Sequence, residues 1–434
     1  MTPVGEWRPT AAHGRATWGG ISLCVVAVLA HRPDLAVLAT PLVGAAVWAA
    51  VRRPTQPPTI SQSIGHATLR EGQATTWHIR VDDPEGRAED VAALLGSTPW
   101  VDRLPEHGQV AADLRTDRDG TLAVQLHSMR WGRRRVEPAT VVASSCWGAF
   151  QVVANTNADA QVLLTLPQPT PFDASAPPVR TPGLIGVNRS PRQGGGTEYA
   201  GTRPFQPGDR LRRIHWPRTI RTGELHVTAT WADHDRQVIL LIDALDDVGA
   251  STGLGGRASS LDIAVRAASA IAEHHIAVGD RVGLVALGAR GVQRVPAAAG
   301  FRHLRRLLET MSTLERARGP MDDGRLPRGL SESALVVMLS PLLSPAALRR
   351  AHLTAERAVA TVVIDCLPED IARQDTDDPF VGLTWRIQRL ARERELRRIR
   401  EAGIAVVPWR GPGSLDAVLR DLHQRSRTAV RGRR

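Results

Sequence analysis

The stretch Glu198 to Val227 (EYAGTRPFQPGDRLRRIHWPRTIRTGELHV) gathers the densest set of groups able to bind an anion or anchor a fold. It holds the chain's only tyrosine, a Pro207-Gly208-Asp209 turn, Arg203, Arg212, Arg213, Arg221 and Trp216. In such a turn Pro presets φ, Gly permits positive φ, and Asp bonds its own backbone. Two chemistries fit. In the first, Ile214 and Trp216 point to one face of an extended segment. Trp216 fills a buried pocket, and Asp209 is neutralised by an arginine such as Arg221. In the second, the arginines form a surface for a carboxylate or phosphate, which guanidinium groups bind in fork geometry.

Other candidate constellations are incomplete. His274 and His275 follow Glu273 on a helical pattern, but adjacent helical positions diverge by about 100° and cannot share a metal. A solvated face is expected there. Gly194-Gly195-Gly196 does not follow a strand, so it is no phosphate loop. No Ser or Cys stands in a nucleophile context. An enzyme is therefore not expected.

The 434 residues imply two or three domains. All 55 basic residues are arginine, against 44 acidic ones, for a net charge of +11. Codon bias in a GC-rich genome explains the arginine preference, yet the charge still directs the chain toward acidic partners or anionic lipid. Nucleic acid is not an expected partner, since no helix-turn-helix, zinc module or stacking aromatics accompany the arginines. Cys24, Cys146 and Cys366 fit neither a disulfide framework nor a zinc site. Cys24 and Cys366 read as buried thiols, which suits a reducing compartment.

These groups need elements to position them. Residues 1–53 read as a loose polar tail followed by two transmembrane helices, Thr17 to Ala30 and Leu35 to Val51, around a polar turn. Arg8, Arg15, Arg52 and Arg53 flank the pair and only Arg32 lies in the turn, so the bulk of the chain is expected in the cytoplasm. Residues 54–166 read as a small all-β sandwich, entered through a proline-rich linker at 54–60. Residues 167–236 are linker and core motif. Residues 237–425 alternate strand and helix, which predicts an α/β domain with a mostly parallel sheet covered on both faces. Residues 426–434 are a basic tail. The helical run 386–400 reads as a solvated ion-pair face, with apposition to anionic lipid as the sharper alternative.

The core motif R-x-[YF]-x-P-G-D-x-x-R-x-[IV]-x-W reads here as Arg203, Phe205, Pro207, Gly208, Asp209, Arg212, Ile214 and Trp216. Arg221, Gly223, Leu225 and Val227 continue it. Together with the helix pair and the RWGRRRVEP…CWGAFQV…VLLTLP pattern, it resembles the domain of unknown function 58 family. That resemblance implies a von Willebrand factor A-like domain behind a membrane hairpin and a β-domain. It also implies an adaptor or chaperone role beside a MoxR-type AAA+ ATPase and a transglutaminase-like membrane protein, with no reaction assigned. A-like domains often hold Mg²⁺ through D-x-S-x-S, a distant Thr and a later Asp. Here Asp243 stays, Leu245 and Asp247 stand at the serine positions, and Ser340-Pro341 replaces the later Ser/Thr-Asp. A degenerate site with no metal is expected. The alternatives are a Mg²⁺-dependent binding or hydrolytic domain using the acidic loop and, third, arginine-mediated nucleic-acid binding.

Overall fold

The computed structural model describes residues 5–116, 120–154, 159–169, 193–207, 209–231, 237–289, 291–316, 334–357, 360–369 and 379–410. Gly208, most of the expected linker, the part of the expected α/β domain after residue 410 and the basic tail lie outside them. The chain divides into two compact units, Met1–Gln168 and Pro169–Arg434.

In the first unit, helices α1 (Ala11–Leu29) and α2 (Pro33–Val51) are joined by three residues. The Thr10 side chain caps α1 by accepting from His13 N, and Pro33 opens α2, where a missing N–H costs nothing. Small residues line their contact. Gly20, Ala27, Ala39 and Ala46 are buried, and a Cβ on Gly20 would meet Val43 Cγ2 at 2.9 Å. The large apolar side chains face outward instead, including Trp18, Val25, Leu29, Val37, Leu38 and Val47. Among the described residues one helix, α2, is long and apolar enough to cross a membrane. α1 opens with His13, Gly14 and Arg15, which shortens its apolar run.

The tail expected to be loose is tied down. Arg8–Pro9 pairs with Gln151 and Phe150, and the Trp7 indole donates to Gln56 O at 2.8 Å. Trp7, Ala49, Cys146 and Phe150 share a small core, and Trp48 stacks on Trp147 at 4.6 Å. The run 54–60 is no free linker either. Thr55 and Gln56 donate backbone N–H to the Glu85 carboxylate, and Pro54 and Pro58 are buried. Three sheets, rather than the two of a simple sandwich, then close on one core of Trp77, Ile79, Leu95, Leu126, Val141 and Leu163. Ala74–Asp82 and Thr121–Ser128 keep the strict alternation that betrays a half-buried strand. Asp90–Leu94 and Gln109–Asp113 are short and alanine-rich, and they escape notice in the sequence.

The second unit carries a six-stranded sheet. Its strands are β1 (Gln237–Asp243), β2 (Arg281–Gly288), β3 (Gly291–Ala298), β4 (Leu335–Ser340), β5 (Ala360–Asp365) and β6 (Ala405–Pro408). Their order is β3-β2-β1-β4-β5-β6, parallel throughout except for β3 at the edge. β1 and β4 are apolar at nearly every position because both sheet faces are covered. A short helix, α3 (Trp216–Thr222), precedes this sheet in the chain. Helices α4 (Ser260–Ala277) and α5 (Phe301–Met311) pair with each other, as do α6 (Pro345–Arg357) and α7 (Pro379–Glu401). Alanines at 264, 267, 268, 270 and 272 are buried on α4, so this helix approaches the sheet closely. His275 departs from the solvated face expected for it. It is buried, and Nδ1 lies 2.8 Å from Asp280 Oδ2.

Candidate functional site

The strand order reverses between β1 and β4, and in open α/β sheets ligands bind outside the carboxyl ends of the strands at such a point. Asp243 ends β1 and Ser340 ends β4, both buried. Ser340 Oγ donates to Asp243 Oδ2 at 2.7 Å, and Leu245 N donates to Asp243 Oδ1 at 3.2 Å. Ser340 Oγ in turn accepts from Leu342 N at 3.0 Å, and Leu342 is a non-glycine residue at φ 52. Burial pushes the Asp243 carboxyl above its ordinary range, against the pull of its two hydrogen bonds and of the Arg350 charge.

The neighbouring acids are occupied elsewhere. Asp247 Oδ1 accepts from Ser260 Oγ at 3.3 Å and Leu261 N at 3.0 Å, which caps α4. Ser259 and Asp262 complete a capping box on the same helix end. On β5, Asp365 accepts from Arg392 of α7, whose Nε also donates to Pro341 O at 2.9 Å. Arg392 thus ties the ends of β4 and β5, although its helical run reads as a solvated face. The signal for it was present: Arg392, Leu396 and Ile399 share one helical face, and all three are buried. The Cys366 thiol beside this edge is buried, which raises its pKa well above normal and keeps it unreactive.

These oxygens do not fit the octahedral shell of Mg²⁺. Both Asp243 oxygens already accept hydrogen bonds, Leu245 supplies no oxygen ligand from its side chain, and Asp247 serves a helix end. Among the described residues no group of three His, Cys, Asp or Glu side chains is placed to hold a metal. The arrangement is a staple between two strands.

The core motif forms the crossover of an antiparallel pair, Gln193–Pro204 and His226–Trp231. Arg203 and Asp209 flank the turn and meet in a fork, Nη1 to Oδ2 at 2.7 Å and Nη2 to Oδ1 at 2.6 Å. Asp209 Oδ2 also accepts from Gln206 N at 2.9 Å. The Arg203 guanidinium, then that backbone bond, holds the Asp209 carboxyl below the usual range. Asp209 therefore pairs with Arg203 and not with Arg221, because the tight turn brings residue 203 back beside residue 209.

Trp216 also departs from expectation. It is 59% exposed and opens a short helix, α3 (Trp216–Thr222). His215 Nδ1 accepts from Arg218 N, Pro217 sits in the first turn, and Gly223 at φ 75 ends the helix. That Pro-first, Gly-last pattern was legible in HWPRTIRTG. Beyond the Arg203–Asp209 pair, Phe205 N donates to Leu225 O and His215 N to His226 O, so the loop is braced on itself. Its outer side presents Leu211, Trp216, Ile220 and Leu225 among Arg210, Arg212, Arg218 and Arg221, all exposed. Phe205 is half-buried and Pro207 exposed at the turn.

A mixed α/β unit with a mostly parallel sheet, preceded in the chain by a self-braced, arginine-rich loop, is the class of protein defined by this geometry. Residues 201–397 match the family described as "Protein of unknown function DUF58". Uncharacterised proteins of Mycobacterium bovis and Mycobacterium tuberculosis are 31% identical over 195 residues, covering 43% of this chain and 60% of theirs. The chain thus spans under two thirds of the length of those relatives. A solved structure of the Yersinia pseudotuberculosis adhesin InvE overlaps 23% of this chain and 32% of its own at 12% identity and a TM-score of 0.15, too low to bear on the fold.

Proposed function

We propose that the chain is a membrane-anchored, non-enzymatic adaptor that faces the cytoplasm and docks a MoxR-type AAA+ ATPase through its core-motif loop. The observation that carries this reading is the outer side of that loop. Leu211, Trp216 and Ile220 are exposed on a loop braced by its own hydrogen bonds, with Arg210, Arg212, Arg218 and Arg221 exposed in the same segment. Aromatic and arginine side chains held in place are the groups that dominate protein interfaces. The charge favours an acidic partner surface. A transglutaminase-like membrane protein is the second expected partner.

Two membrane spans are supported by the helix pair, with small residues inside and large apolar ones outside. Lipid-facing helix pairs pack in this way because lipid supplies no hydrophobic force between helices. Arginine placement supports a cytoplasmic bulk. The strand order β3-β2-β1-β4-β5-β6 supports a von Willebrand factor A-like reading of the second unit.

Purification of the tagged full chain from cross-linked membranes of its own host tests the proposal. An AAA+ ATPase identified by mass should be retained, and Trp216→Ala with Ile220→Ser should release it while leaving Tm unchanged. Wild-type purifications that consistently lack such an ATPase refute the docking role.

A further inference from the structure

An ordinary surface helix buries an apolar stripe and turns a polar face to water. α7 does the first and not the second. Arg392, Leu396 and Ile399 are buried against the sheet. Leu383, Ile387 and Leu390 stand nine residues before them in sequence, which is about 2.5 helical turns, so they lie on the opposite side. All three are exposed, and so is Phe380, three residues before Leu383. The first three turns of α7 therefore carry a second apolar stripe facing away from the core.

Arginine predominates beside that stripe, with Glu393 on the same flank already paired to Arg389. Arg386, Arg394 and Arg397 are exposed beside it. The whole helix has seven arginines, at 386, 389, 392, 394, 397, 398 and 400, against three glutamates, at 393, 395 and 401. Arg389 and Arg398 pair with Glu393 and Glu395. The pattern of apolar stripe with arginine flanks is that of a helix lying in a membrane interface. There the apolar side chains enter the acyl boundary while the arginines reach lipid phosphates.

We infer that the outward stripe of α7 (Phe380, Leu383, Ile387, Leu390) with Arg386, Arg394 and Arg397 is a docking face for an anionic lipid surface. A second copy of the chain is a poor occupant, since it would oppose arginine to arginine. Anionic lipid matches both the stripe and its charge. The inference rests on the membrane-anchored reading, because a tether holds the helix near a bilayer at high effective concentration.

The full chain, with Cys24→Ser and Leu390→Cys, labelled by an environment-sensitive fluorophore, tests this in lipid nanodiscs. Cys146 and Cys366 are buried and stay unlabelled. In discs of phosphatidylcholine with phosphatidylglycerol, emission should shift blue, and doxyl-labelled lipid should quench it. Both effects should weaken in phosphatidylcholine alone, and in Leu383→Ser with Ile387→Ser. A chain that does not co-elute with discs overturns the anchored reading itself. Co-elution with no lipid quenching overturns the α7 inference alone. A blue shift without lipid quenching also overturns it, since protein then covers the stripe.

Discussion

Ser340 Oγ donates a 2.7 Å hydrogen bond to Asp243 Oδ2 at the point where the strand order of the sheet reverses. The two residues lie 97 positions apart, and both are buried. The bond links the carboxyl ends of β1 and β4, which the sheet already pairs side by side.

Ser340→Ala should destabilise the second unit by about 1–3 kcal/mol, because Asp243 loses a donor and Leu342 N an acceptor in a buried place. Thermal unfolding of the full chain measures this. An unchanged Tm would show that the staple carries no net energy.

The Asp243 carboxyl titrates above its usual range, so the folded state holds a proton more tightly than the unfolded state. Its contribution to stability is full below the ordinary carboxylate pKa and is lost as pH rises through the raised value. Asp243→Asn, with its oxygen toward Leu245 N and its NH₂ toward Ser340 Oγ, should fold and lose this component. Tm measured from acid to neutral pH should fall less in the variant than in wild type.

The opposite sign holds at Asp209. Its pKa is depressed, chiefly by Arg203, so the pair supports the loop above the ordinary carboxylate range and fails as pH falls through the lowered value. Arg203→Gln should raise hydrogen exchange of residues 204–225 at neutral pH to the level wild type reaches only in acid. Equal protection in both proteins would locate the brace in the backbone bonds instead.

Arg392→Met should cost about 3 kcal/mol, because Asp365 is left with a poorly hydrated charge. Adding Asp365→Asn should recover part of the loss. A double variant no better than the single one would show that the bond to Pro341 O dominates.

Gly20→Leu should splay α1 from α2. A Cβ there already lies 2.9 Å from Val43 Cγ2 and 3.3 Å from Leu42 Cβ. Cysteine cross-linking between the helices should drop several-fold if close packing sets their separation.

By itself, the sequence determined the kinds of element and their places. β1, β2, β4 and β5 were legible because strands buried on both faces become continuous apolar runs. The turn at Pro207 to Asp209 was legible from residue types alone. Which arginine Asp209 takes, which face of α7 is buried, and that Ser340, which the resemblance set beside Asp243, bonds it directly were decided only in three dimensions. Local periodicity records how a segment alternates between core and solvent. It holds no record of which distant strand lies alongside, so partners 97 residues apart become visible only once parallel pairing sets the strand order. For the same reason, the charges of α7 looked uniformly solvated until packing against the sheet singled out Arg392 and turned Leu383, Ile387 and Leu390 outward.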